Sequence, residues 1–111
     1  MTIQIIENGA RAASSKTGQK IYTYHATSDT ILWEATLSAA FSYTGDTAHC
    51  TASECNIVVY NSNWYEVSNT ATRSGNVASA EFTMGRKVLG ITVSKDTYNL
   101  SLACDKDGNL S

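Results

Sequence analysis

"TILWEATLSAAFSYTG", Thr30 to Gly45, is the stretch whose reading decides the fold. Trp33, Ala35, Leu37, Ala39, Phe41 and Tyr43 fall at every second position, and Glu34, Thr36, Ser38, Ala40 and Ser42 fall between them. Successive side chains of a strand point to opposite faces, so this spacing buries one face and wets the other. A helix would need apolar residues at a 3.6-residue period, which the run lacks. The expectation is one long strand, bent near Ala39–Ala40.

The same test finds strands elsewhere. "QKIYTYHA" (Gln19–Ala26) is tyrosine-rich, and "CNIVVYN" (Cys55–Asn61) is β-branched and expected to be central. "WYEVSNTAT" (Trp64–Thr72) alternates loosely, and "NVASAEFTM" (Asn76–Met84) places Ala78, Ala80, Phe82 and Met84 together. "KVLGITVS" (Lys87–Ser94) and "TYNLSLAC" (Thr97–Cys104) complete the set, the latter aligning Tyr98, Leu100, Leu102 and Cys104. Turn signals lie at Thr44–Asp46, Ser74–Asn76, Ser94–Asp96 and Lys106–Asn109. About seven or eight short strands at ~8–12-residue spacing predict an all-β, immunoglobulin-like antiparallel β-sandwich. The expected core contains Trp33, Leu37, Phe41, Ile57, Val59, Phe82, Leu89, Ile91, Leu100 and Leu102. Residues 1–18 read as an N-terminal arm or loose segment, with a weak helix over residues 7–18, and 19–111 as a single sandwich domain.

Composition excludes several classes. At 111 residues the chain is sized for one domain, and 42% hydrophobic content argues against disorder. The net charge of −2, with cations scattered singly apart from Arg86-Lys87, lacks the basic stripe of a nucleic-acid binder and sets anionic membranes aside. The longest wholly apolar run near the middle, Ile57–Tyr60, is far short of the ~20 residues of a membrane span. The start "MTIQIIENGARAASS" has no basic segment followed by an apolar one, so no signal peptide is expected here.

"AHCTASEC" (Ala48–Cys55) raises the question of the cysteines. His49, Cys50, Cys55 and Cys104 offer donors that zinc accepts, but C-x4-C without a second paired knuckle is a weak zinc pattern. A redox pair needs C-x-x-C at a helix start, and a nucleophilic cysteine needs a positioned base, which neither His25 nor His49 locally provides. A disulfide is the remaining reading. Cys50–Cys104 would close 53 intervening residues, worth about 4 kcal/mol in the chain-entropy picture. Cys55–Cys104 is the runner-up, and Cys50–Cys55 would stabilise less. Either way one thiol is left over.

The segments "DTILWEATLSAAFSYTGDTAHCTAS" and "SGNVASAEFTMGRKVLGITVSKDTYNLSLACDKDGNLS" resemble an uncharacterised family of small exported β-sandwich proteins of Gram-positive gut bacteria. The family pattern, "LWxATLxxxFxYxG…C" followed by "GRKVLGITV…LxLxCDxxGNLS", is met from Trp33 to Cys50 and from Gly85 to Ser111, and the matching segments cover about two thirds of the chain. The resemblance implies export, with this sequence as a mature form, and pairing of Cys50 with Cys104. It implies no activity.

"NSNWYEV" (Asn61–Val67) is the leading candidate site, with Tyr60 just upstream. An exposed Trp64 or Tyr65 ring can stack on a sugar, and Asn61 and Asn63 can bond its hydroxyls; the competing reading makes Trp64 a core anchor and the asparagines a turn. "DKDGNLS" (Asp105–Ser111) places Gly108 at position 4 of a would-be calcium loop that needs it at position 6, so a turn explains it better. "TMGRKVLG" lacks the phosphate-loop order and reads as a turn or bulge, and "YTYH" (Tyr22–His25) as a surface aromatic ladder. Together these point to a secreted or cell-surface binding module, non-catalytic and without cofactor or metal, for a glycan, cell wall or protein partner. The alternatives are a secreted effector or inhibitor, and a small hydrolase using His25 or His49.

Overall fold

The computed structural model describes residues 2–12 and 15–111, and every regular element among them is a β-strand. In chain order these are β1 (Thr2–Ala12), β2 (Ser15–His25), β3 (Ile31–Tyr43), β4 (Ala48–Val59), β5 (Trp64–Ser74), β6 (Val77–Val88) and β7 (Ile91–Ala103). All pairings are antiparallel, in a four-stranded sheet ordered β1-β2-β3-β4 and a three-stranded sheet ordered β5-β6-β7. Hydrogen-bonded neighbours are always sequence neighbours. This is a meander, without the Greek-key order that defines the immunoglobulin fold. The short loop 60–63 carries the chain from one sheet to the other.

The alternation read from Thr30–Gly45 is realised in β3. Trp33, Ala35, Leu37, Ala39 and Phe41 are all buried, while the residues between them are half-buried. Ala78, Ala80, Phe82 and Met84 of β6 and Leu100 and Leu102 of β7 meet them from the second sheet. The small alanines sit among large rings, so the two layers interdigitate.

Aromatic contacts join the layers. Trp33 is wholly buried and stacks on Tyr24 (centroids 5.2 Å apart) and Tyr22 (5.5 Å) within its own sheet. Its ring also meets Tyr98 (5.1 Å) and Phe82 (5.6 Å) edge-on across the interface. Tyr22 and Tyr24 therefore belong to the interior rather than to the surface ladder expected of "YTYH".

Several expectations are corrected. The arm or helix placed in residues 1–18 is strand: Thr2 to Asn8 pairs in register with Thr23 to Thr17, as the β-branched run of Thr2, Ile3, Ile5 and Ile6 favours. Met1, Ala13 and Ser14 of that segment lie outside the described residues. β4 is an outer strand of its sheet, not a central one, leaving Val58 and Val59 exposed and Ile57 half-buried. "KVLGITVS" is not one strand but two. Leu89 and Gly90 both take positive φ (52° and 77°) between the paired residues Val88 and Ile91, the pattern of a type I′ hairpin turn. Leu89 and Ile91 are therefore exposed, and the turn expected at Ser94–Asp96 is uninterrupted β7.

A register shift between Ala40 and Phe41 leaves Thr51 of β4 as an extra residue, close to the expected bend. The Arg73 guanidinium donates to the Thr51 carbonyl there. The bulge inverts the alternation of β4, so Cys50 and Cys55, five positions apart, both point inward.

Burial separates the two leucines that the sequence treats alike. Leu102→Ala is expected to lower the unfolding free energy by about 2–5 kcal/mol. Leu89→Ala should change it by less than about 0.5 kcal/mol, as at other surface positions. Urea denaturation of both variants checks the assignment.

Candidate functional site

A meander of hairpins puts alternate connections at opposite ends. The β2–β3 loop (26–30), the crossing loop (60–63) and the β6–β7 turn (89–90) share one end; the β3–β4 loop, the β5–β6 turn and the C-terminal segment share the other.

The second end is closed by hydrogen bonds. The Asp105 carboxylate accepts from the backbone N–H groups of Asp107 and Asn109, both at 2.9 Å. These bonds hold its pKa below the usual carboxylate value. Gly108, at φ 88°, lies under the Tyr43 ring, where a Cβ would stand 2.7 Å from the ring. Asp105–Ser111 is thus a turn that packs Leu110 back on the core. No three His, Cys, Asp or Glu side chains among the described residues are placed to share a metal ion.

The cysteines also sit toward this end. The Cys50 N–H donates to the Gly75 carbonyl (2.7 Å) and the Cys104 N–H to the Asn76 carbonyl (3.1 Å), so both backbones flank the β5–β6 turn. The expected Cys50–Cys104 disulfide is nevertheless absent, and all three cysteines are buried thiols. The Cys50 thiol donates to the Ala52 carbonyl (3.3 Å) and the Cys104 thiol to the Asp105 carbonyl (3.4 Å), each to its own stretch of chain. Cys50 and Cys55 lie on one extended strand, opposite Phe41 and Leu37, four rungs or roughly 13 Å apart at ~3.3 Å per residue. That excludes a zinc knuckle formed by this pair.

The first end is open. A cleft of about 370 Å³ is lined by Tyr24 and His25 from β2, Leu32 from β3, Asn61 and Asn63 from the crossing loop, Trp64 from β5 and Arg86 from β6. Trp64 forms its aromatic wall, half-buried, 5.2 Å from Tyr24 and tilted 53° to it. Arg86 stands opposite Trp64 in the ladder, its guanidinium carbon 6.0 Å from the ring centroid.

The loop holding the asparagines is pinned. The Leu32 carbonyl accepts from the N–H groups of Tyr60 (2.9 Å) and Asn61 (3.2 Å). The Asn61 side-chain carbonyl accepts the Asn63 N–H at 2.8 Å, a local turn that leaves the Asn61 amide NH2 able to face a ligand. His25 is held loosely, at 3.4 Å from both the Thr2 hydroxyl and the Asp29 carbonyl.

Of the candidate residues named from sequence, Asn61, Asn63 and Trp64 come together here. Tyr65, next along the strand, faces the other side of the sheet. Its ring covers Gly85 where a Cβ would otherwise be, its hydroxyl bonds Thr92 (2.8 Å), and Lys87 lies over it. Tyr60 is 60% exposed and outside the cleft lining. Tyr24 and Arg86 were missed, and His25 was named only for the hydrolase alternative, because they join Trp64 only through strand register and sheet packing.

A second depression of about 420 Å³ lies on the outer face of the three-stranded sheet, lined by Thr70, Thr72, Ser79, Glu81, Asn99 and Ser101. Ala80 and Leu100 also line it, and it has no aromatic wall. Comparison of the chain with family models, with curated proteins and with solved structures finds no match.

Burial raises the pKa of the Cys50 and Cys55 thiols and the Tyr22 phenol. Burial, with Asp96 nearby, pushes Tyr98 up to about 12. A raised folded-state pKa contributes stability that is complete below the unfolded value and lost as pH rises through the folded one. Resistance to urea should therefore be level near neutral pH and fall as the solution is taken from about 9 toward 12. A thiol assay should find three reactive groups in denaturant and slow reaction in the folded protein; a count of one would restore the disulfide.

Proposed function

We propose that this chain is a non-catalytic, exported binding module that holds a glycan in the loop-end cleft. The observation that carries the reading is the half-buried Trp64 ring, backed by Tyr24 and bordered by the Arg86 guanidinium and the amides of Asn61 and Asn63. A sugar presents an apolar C–H face and a rim of hydroxyls. An aromatic wall with flanking donors and acceptors complements both. The crossing loop is fixed by four backbone bonds at 2.7–3.2 Å, so little ordering entropy opposes binding. Export is supported by the low charge and the resemblance of the Trp33–Cys50 and Gly85–Ser111 segments to exported proteins.

Retention on a panel of polysaccharides and cell walls tests the reading. The protein should bind at least one member, and Trp64→Ala should weaken binding about tenfold or more, the equivalent of ~1.4 kcal/mol. Tyr65→Ala should leave it unchanged, because that ring lies on the opposite face of the sheet. Near-UV circular dichroism confirms that the Trp64 variant stays folded. A blank panel, or full retention by folded Trp64→Ala, overturns the proposal.

A further inference from the structure

The β6–β7 hairpin outruns its sheet. β5 begins at Trp64, opposite Arg86, and the Lys87 N–H still donates to the Asn63 carbonyl of the crossing loop (2.7 Å), so Val88 to Ile91 continue as a two-stranded ribbon, reaching roughly 7 Å further at ~3.3 Å per residue. Val88 and Ile91 face each other on this ribbon, with Val93 the extra residue of the shift between Arg86 and Lys87. Leu89 at the turn is 95% exposed, Ile91 69%, and Val88 and Val93 are exposed as well.

Leu89 contradicts the turn that holds it. A type I′ turn demands positive φ at both central residues, which Asn, Asp and Gly tolerate and leucine resists. A branched apolar side chain kept at φ 52° in full solvent serves neither the turn nor the core.

Charge then separates the possible occupants. Behind the apolar tip come exposed Lys87, Arg86 and Lys95, on successive rungs of the ladder. The first acids on this ribbon and its neighbour are Asp96 and Glu66, both at the Met84 rung, one step further back. Three of the chain's eight Lys and Arg residues form this belt, although the net charge of the whole is −2. An apolar end followed by a cationic collar matches the layering of a bilayer surface, hydrocarbon beneath anionic headgroups.

We propose that the β6–β7 hairpin is a membrane-surface anchor: Leu89, Val88 and Ile91 enter the acyl boundary of an anionic lipid surface, and Lys87, Arg86 and Lys95 meet its phosphates. This goes beyond the glycan reading; the two share Arg86, which also borders the cleft, and the tests below leave that residue and Trp64 untouched. It also overrides the argument from net charge that set anionic membranes aside, because the belt is local.

Flotation with phosphatidylcholine vesicles, with and without about 30% phosphatidylglycerol, tests it. Wild-type protein should bind the anionic vesicles about tenfold or more tightly than the neutral ones, and added salt should weaken that binding. Leu89→Asn should lose most of it while its melting temperature holds or rises, because asparagine suits the turn. Lys87→Gln with Lys95→Gln should erase the preference for anionic lipid. Absence of vesicle binding, or full binding by Leu89→Asn, overturns the proposal. So does concentration-dependent self-association in the absence of lipid that Leu89→Asn abolishes, since the tip would then be a contact between copies. None of these outcomes depends on whether the cleft holds a glycan.

Discussion

The aromatic contacts between the two sheets centre on one indole. Trp33 stacks on two tyrosines of its own sheet and meets Phe82 and Tyr98 of the other edge-on, at centroid distances of 5.1–5.6 Å. Such a small domain gains a large share of its stability from a few buried aromatics. The indole N–H has no hydrogen-bond partner among the described residues, and leaving such a donor buried costs about 1–3 kcal/mol. That cost is borne because the ring fills the space between the layers more completely than a smaller side chain would. Small buried alanines, Ala35 in β3 and Ala80 in β6, lie two positions along the chain from Trp33 and from its partner Phe82.

This arrangement was legible where alternation is strict. Trp33 to Phe41, Ala78 to Met84 and Leu100 to Leu102 follow period 2 without interruption, and all are buried as read. Reading failed where the chain breaks that period. Cys50 and Cys55 have opposite parity in an ideal strand, and only the Thr51 bulge turns both inward. Bulges leave no local mark in sequence here. "KVLGITVS" looks like a strand because Val, Leu, Ile and Thr favour sheets, and the single glycine was too weak a signal to outweigh them. "SKD" looks like a turn by composition, but it lies on an edge strand whose side chains are mostly in solvent, where charged residues protect against unwanted pairing.

The candidate cleft was half legible for a different reason. Asn61, Asn63 and Trp64 are contiguous enough to be seen as one feature. Arg86 becomes their neighbour only through the β5–β6 register, and Tyr24 and His25 only through packing of one sheet on the other. Alternation also divides the apparent aromatic pair. Trp64 and Tyr65 are adjacent in the chain, so in a strand they must face opposite ways.

The ends of the sandwich are built on different principles. At one, Gly108 beneath Tyr43, the bonds of Asp105 and the Cys104–Leu110 bridge close the chain over its own core. At the other, an aromatic wall is left half-open, and a leucine is held in a turn that favours asparagine or glycine. One side of the Trp64 ring packs on Tyr24 and Trp33, but packing requires neither its open side nor a leucine at position 89, where a turn-former would serve. Strain and exposed apolar surface gathered at one end, with stability secured at the other, is the distribution expected when one face of a small rigid scaffold makes contact with something outside the molecule.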